Sequence, residues 1–321
     1  MNERIMDVKK VKVIPDLVYI SRNGAPLYVD LYLPEGFKTP LPVIVWLHGG
    51  GWKIGDRKLG PNLSRYFAAS GFAMASIEYR LSGEAKFPAQ VHDVKAAIRW
   101  IRSVAGKFGL DRDRIGLWGS SSGGHLAALA GITGTGLLEE EEIVNGGYSC
   151  DVKAVVDGYG PVNFLQMDAQ RKPIAELPDD PESVQLPKNM LAASPDSFES
   201  QLLGAPIETV PEKVMEASPV TYVKNGTPPF LIMHGVNDTA VPVQQSQYLY
   251  EKLAEKGNEA TLILIEGVGH GFLNKDDFGM NSSLKATIQT TINGNSDKLT
   301  ECLSVGFGTI ETFFRKHLMD K

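Results

Sequence analysis

At 321 residues, with 43% hydrophobic and 22% charged, the chain can bury one large core and shows no bias toward disorder. Its formal net charge of −6 argues against a nucleic-acid or anionic-membrane partner. Two cysteines, Cys150 and Cys302, are too few for a disulfide framework and read as free thiols of a reducing compartment. No run approaches the roughly 20 apolar residues of a membrane span, and the opening MNERIMDVKK lacks an apolar stretch, so a cytoplasmic location is expected.

Taken in chain order, Val11 to Leu33 reads as a hairpin turning at Asn23-Gly24, with Leu27, Val29, Leu31 and Leu33 alternating after the turn. The apolar runs Val43 to Leu47 and Phe72 to Ile77 are expected to be strands buried on both faces. Val91, Val94, Ile98 and Ile101 recur at helical spacing between Gln90 and Lys107. A short strand at Ile115 to Trp118 precedes a helix from Ser122, and a strand follows at Val152 to Val156. Strands are expected again at Phe230 to Met233 and Leu262 to Ile265, with a helix from Gln244 to Leu253 between them and a last helix from Gly308 to Leu318. This alternation implies a single domain over residues 1–321, built on a mostly parallel sheet with helices on both faces. Two stretches break the rhythm. Residues 166–210, rich in Pro, Asp, Glu and Ser, read as a cap over the site, and the polar residues 274–300 as a peripheral insertion or surface loop.

Gly119-Ser120-Ser121-Ser122-Gly123 fits G-x-S-x-G, the pattern of a serine raised on a tight strand-to-helix turn whose crowding admits only glycine two residues to either side. The strand before it and the helix-forming run after it supply the context that the short pattern needs. A serine hydroxyl requires a base. His270, in the glycine-rich Gly267 to Phe272 segment just past a strand, is placed to be one, although a lone loop histidine is more often a surface residue. Asp238, just past the Phe230 to Met233 strand, is the expected carboxylate partner, completing the chain order Ser, Asp, His. Asp157 also ends a strand and is the second candidate; Asp93 lies within a helical pattern and reads as structural.

His48-Gly49-Gly50-Gly51-Trp52 directly follows a strand, and its glycines let the backbone approach a substrate closely. With the N–H of Ser122 they could form an oxyanion hole. Trp52 is a candidate lining residue for the substrate, or a brace for the loop. His48, His125 and His234 sit beside glycine-rich turns and read as hydrogen-bonding supports, since neither H-x-x-x-H nor clustered carboxylate spacing suggests a metal. No G-x-G-x-x-G or P-loop occurs, so no cofactor is expected.

HGGGW (48–52), FPAQVHDVKAAIRWIR (87–102), GSSSGGHLAALAG (119–131), VKAVVDGYGPVNF (152–164), PPFLIMHGVNDTAVPVQQS (228–246) and GVGHGF (267–272) together resemble the hormone-sensitive-lipase-like esterases. The likeness is closer to the branch described as BD-FAE, which includes feruloyl esterases and other carbohydrate-ester hydrolases. The resemblance implies an α/β-hydrolase fold and carboxylesterase activity on small acyl esters, including acetyl or cinnamoyl groups on plant sugars. It also implies a triad of Ser121, Asp238 and His270, with oxyanion donors at Gly50, Gly51 and Ser122. Ser122 departs from the alanine usual in relatives, a harmless change if only its N–H acts. Amide hydrolysis on the same machinery is the alternative. A binding protein that has lost catalysis is disfavoured because no triad residue is missing.

Overall fold

Period-two alternation of apolar side chains along buried strands organises the molecule. The computed structural model describes residues 10–171, 191–279, 284–303 and 305–319. In chain order its strands are β1 (Val11–Arg22), β2 (Ala25–Pro34), β3 (Leu41–Leu47), β4 (Ala73–Ile77), β5 (Leu110–Ser120), β6 (Ala154–Gly158), β7 (Phe230–Gly235), β8 (Ala260–Ile265), β9 (Leu284–Ile292) and β10 (Asn295–Leu303). The helices are α1 (Leu63–Tyr66), α2 (Ala89–Phe108), α3 (Ser122–Thr133), α4 (Phe164–Gln170), α5 (Phe198–Leu203), α6 (Pro211–Ala217), α7 (Gln244–Glu255) and α8 (Phe307–Leu318). None is both long and apolar enough to cross a membrane among the described residues.

All ten strands form one sheet in the order β1-β2-β4-β3-β5-β6-β7-β8-β9-β10. Pairing is parallel from β4 through β8 and antiparallel at both ends. Val43, Val45 and Leu47 of the fully buried β3 face a core shared with α2, α3 and α7. Ile44 and Trp46 face the opposite core, which Phe307, Ile310 and Phe314 of α8 complete. Two covered faces explain why the central strands read as continuous apolar runs. The chain winds one way from β3 to β4 and the other way from β5 to β6, so the order reverses between β3 and β5. Ligands of open α/β sheets bind at the carboxyl ends of the strands beside such a reversal.

The expected hairpin turns at Asn23 (φ 50°) and Gly24 (φ 84°), the left-handed pair that a two-residue turn needs. Asp93, buried in α2, pairs with Arg22 Nε at 2.9 Å and Arg80 Nε at 2.8 Å, in keeping with a structural role. Cys150 is a buried free thiol, whereas the Cys302 side chain lies outside the described residues.

The structure departs from the sequence reading at residues 274–300. Most of this stretch is sheet: β9 pairs with β8, and β10 pairs with β9, both antiparallel. The turn between them is Asn293 (φ 51°) and Gly294 (φ 79°), the same signal as Asn23-Gly24. Near the sheet edge, polar β-branched residues such as Thr287 and Thr290 satisfy strand geometry without forming an apolar run, and so hide the strands. Residues 172–190 of the expected cap lie outside the described residues. Its flanks are tied together: the Asp168 carboxylate accepts from the N–H groups of Ala192 at 2.7 Å and Ala193 at 2.9 Å.

Candidate active site

The turn between β5 and α3 explains the spacing of its glycines. A Cβ on Gly119 would lie 2.2 Å from Gly123 O, and one on Gly123 would lie 2.1 Å from Leu47 O. Between them Ser121 adopts φ 55°, ψ −123°, a conformation that costs a non-glycine residue about 1–3 kcal/mol. The neighbouring strand helps to hold it, since the Ser121 N–H donates to Gly158 O at 2.7 Å.

The three residues expected to act together meet at this turn. Ser121 Oγ lies 2.9 Å from His270 Nε2, and His270 Nδ1 lies 2.7 Å from Asp238 Oδ2. An ionised carboxylate only accepts, so the imidazole proton sits on Nδ1 and Nε2 is left to accept from the serine hydroxyl. The Tyr159 ring packs edge-on against His270, with centroids 4.7 Å apart. Asp238 Oδ1 accepts from the N–H groups of Ala240 at 2.9 Å and Val241 at 2.8 Å. His234 Nε2 approaches Oδ2 at 3.1 Å. Burial opposes ionisation of Asp238, but the electrostatic pull of His270 and hydrogen bonds from His234 and His270 outweigh it and hold the carboxyl well below the usual carboxylate range.

The second carboxylate candidate has a different environment. Asp157 Oδ1 accepts from Gly160 N–H at 2.9 Å, while burial pushes its carboxyl up to about 6. It is Asp238 that His270 reaches.

The loop after β3 is shaped by left-handed residues: Gly50 (φ 115°), Gly51 (φ 60°) and Trp52 (φ 55°). A Cβ on Gly51 would lie 2.6 Å from the Phe198 ring of α5, so the cap flank rests directly on this loop. A cleft of about 520 Å³ opens here, and its walls include Gly51, Trp52, Ser121, Ser122, Phe198 and His270. Trp52 is 2% exposed and its indole N–H donates to His125 Nδ1 at 3.2 Å, so it braces the loop as well as lining the cleft. Phe198, Glu199 and Arg171 also stand in the wall. The sequence reading names none of them, because a cap flank carries no motif and only folding lays it over Ser121.

The three supporting histidines are buried and bonded as expected. His48 Nδ1 contacts Gly49 O at 2.7 Å, His125 Nε2 donates to Ala217 O at 2.7 Å, and His234 Nδ1 meets Ser246 Oγ at 2.7 Å. Among the described residues, no group of three His, Cys, Asp or Glu is arranged to hold a metal. Burial lowers both His48 and His125 to about 4, against weaker opposing backbone hydrogen bonds. The unfolded chain therefore binds protons before the folded one does, and stability falls as pH drops from 6.5 toward 4. Asp157 acts oppositely, because its folded carboxyl takes up a proton below about 6 that the unfolded one takes up only near 3.8. Burial lowers His92 and His317 in the same sense and raises Glu199 in the sense of Asp157, so four histidines against two carboxyls leave a net loss of stability between pH 7.5 and 4.5. Urea denaturation at the two pH values measures it; equal stabilities would refute the assignment of these histidines as buried and neutral.

Comparisons with known proteins agree with this architecture. Residues 29–253 match the family model described as BD-FAE. The chain is 34% identical over 247 residues to the esterase LipC of Mycobacterium tuberculosis, covering 76% of this chain and 56% of that protein. It is 30% identical over 217 residues to a probable carboxylic ester hydrolase, LipM, of the same organism, covering 67% and 45% respectively. The chain thus spans about half the length of these curated relatives. Among solved structures, a truncated carbohydrate esterase from gut microbiota superposes with a TM-score of 0.74 at 28% identity, covering 98% of this chain and 99% of that one. With strands, elbow and family match in agreement, the fold is that of the α/β-hydrolases and the chain belongs to the BD-FAE family.

Proposed function

We propose that the protein is a serine carboxylesterase that works through an acyl-enzyme on small acyl esters, including acetyl or cinnamoyl esters of plant carbohydrates. The observation that carries this reading is the continuous hydrogen-bond chain Ser121–His270–Asp238 at the wall of an open cleft. Ser121 Oγ attacks the ester carbonyl carbon while His270 Nε2 takes its proton. Asp238, kept ionised, stabilises the resulting imidazolium without accepting its proton. The N–H groups of Gly50, Gly51 and Ser122 stabilise the oxyanion, with Ser122 at the first position of α3, where an N–H has no partner within the helix. Collapse expels the alcohol, protonated by His270. Water, deprotonated by the same imidazole, then releases the acid and restores Ser121. Likeness to a carbohydrate esterase supports the sugar-ester part of the reading.

The test is hydrolysis of p-nitrophenyl esters of rising chain length, methyl ferulate and acetylated xylan, beside p-nitroacetanilide as an amide. Turnover of short esters well above the anilide is expected, and an enzyme that cleaves only the anilide would overturn the reading.

Gly51→Ala probes the oxyanion loop. The added Cβ meets the Phe198 ring on a backbone at φ 60°, so either the loop or α5 must move. Loss of one oxyanion donor costs about 10²–10³ in kcat, and that loss is expected here. Ester kinetics alongside thermal unfolding check it: a folded variant with wild-type kcat would remove Gly51 from the hole.

A further inference from the structure

We propose that Glu199 and Arg171 form a hydroxyl-reading pair in the wall of the cleft, selecting esters of sugar-like polyols over alkyl esters of the same shape. The inference rests on the esterase reading and adds to it the residues that choose the substrate. Both side chains line the cleft that holds Ser121 and His270. Glu199 is only 8% exposed, yet among the described residues it makes no ion pair. Burial, aided by the Asp168 charge, pushes its carboxyl up, against the pull of its own backbone N–H, the Arg171 charge and the Ser197 side chain. Arg171 donates from one terminal nitrogen to Thr239 O at 3.2 Å. Its Nε is buried without a hydrogen bond and lies 3.4 Å from Asp168 Oδ1, a carboxylate already engaged by two backbone N–H groups.

A buried acceptor and a buried donor thus share one cleft without pairing to each other. Covering Arg171 Nε with an alkyl group would leave it unsatisfied, and the carboxylate lone pairs of Glu199 beyond those its own N–H and Ser197 engage would lose water without gaining a donor, which is costly. An anionic ligand meets Glu199 and a cationic one meets Arg171, so each is opposed by one of the two. A neutral hydroxyl suits both, because it donates to the carboxyl and accepts from the guanidinium, and neighbouring ring hydroxyls let one substrate engage the two together. Sites built to bond a hydroxyl reject analogues that lack it far more strongly than apolar pockets reject an extra group.

The experiment compares kcat/KM for a monoacetate of methyl β-xylopyranoside with that for cyclohexyl acetate, a ring of the same size without hydroxyls. Wild type is expected to favour the sugar ester by about 100-fold or more, and E199L and R171M to shrink that ratio at least about tenfold, with E199Q retaining part of it. A wild-type ratio near one, or a ratio unmoved in folded variants, overturns the inference while leaving ester hydrolysis intact. Failure of wild type to cleave either ester, or any p-nitrophenyl ester, overturns the esterase reading and this inference with it. Should the variants unfold, wild type alone decides: methyl β-xylopyranoside should inhibit p-nitrophenyl acetate hydrolysis at least about tenfold more strongly than cyclohexanol, and equal inhibition refutes the pair.

Discussion

Ser121→Ala is expected to lower kcat/KM for p-nitrophenyl acetate by about 10⁴- to 10⁶-fold, with the fold intact. The substitution removes the proposed nucleophile and leaves the backbone bond from residue 121 to Gly158 O in place. What activity remains comes from binding and oxyanion stabilisation, which in serine hydrolases lacking a triad member still give about 10³- to 10⁴-fold over water. The same assay separates the neighbouring serines. Ser120 is buried and its Oγ donates to Asn274 Oδ1 at 3.2 Å, and Ser122 Oγ is buried at the start of α3. Neither faces a histidine as Ser121 does. A p-nitrophenyl phosphonate should release one equivalent of p-nitrophenolate from wild type and mark the peptide bearing Ser121. Retention of more than about one part in a hundred of the activity by Ser121→Ala would assign the chemistry to another residue.

Asp238→Asn is expected to cost about 10⁴-fold in kcat, against less than about tenfold for Asp157→Asn. An amide at 238 can turn its NH₂ toward the imidazole and favour the tautomer whose proton sits on Nε2, where it can no longer accept from Ser121. The two backbone donors of Ala240 and Val241 still find an acceptor in the amide oxygen, so the loop keeps these two bonds. Asp157 bonds Gly160 rather than His270, and its substitution leaves the imidazole untouched. Kinetics of both variants at pH 8 decide between the carboxylates. A larger loss at 157 than at 238 would reverse the assignment.

Much of this site is legible along the chain because its constraints are local. The elbow is written in five residues since its crowding is between near neighbours: a Cβ on Gly119 runs into Gly123 O. The loop glycines after β3 and the histidine between glycines after β8 follow the same logic of backbone approach. The order of strands is legible because burial on two faces demands apolar runs. The β9–β10 hairpin is not, although Asn293-Gly294 marks its turn, because strands near the sheet edge need β-branched residues more than apolar ones.

The choice between Asp157 and Asp238 depends on structure. Both end neighbouring parallel strands, and only the folded loops show which carboxylate meets His270 Nδ1. The same holds for Trp52, whose bond to His125 joins residues 73 apart, and for Glu199 and Arg171. Thus the sequence by itself determined the α/β alternation and set Ser121, Asp238 and His270 in order as the proposed triad, because these follow from spacing and backbone sterics. Only the tertiary structure shows that Asp238, the carboxylate the sequence favours, is the one that meets His270, what the loop after β3 rests on and what walls the cleft, because each depends on side chains that only packing brings together.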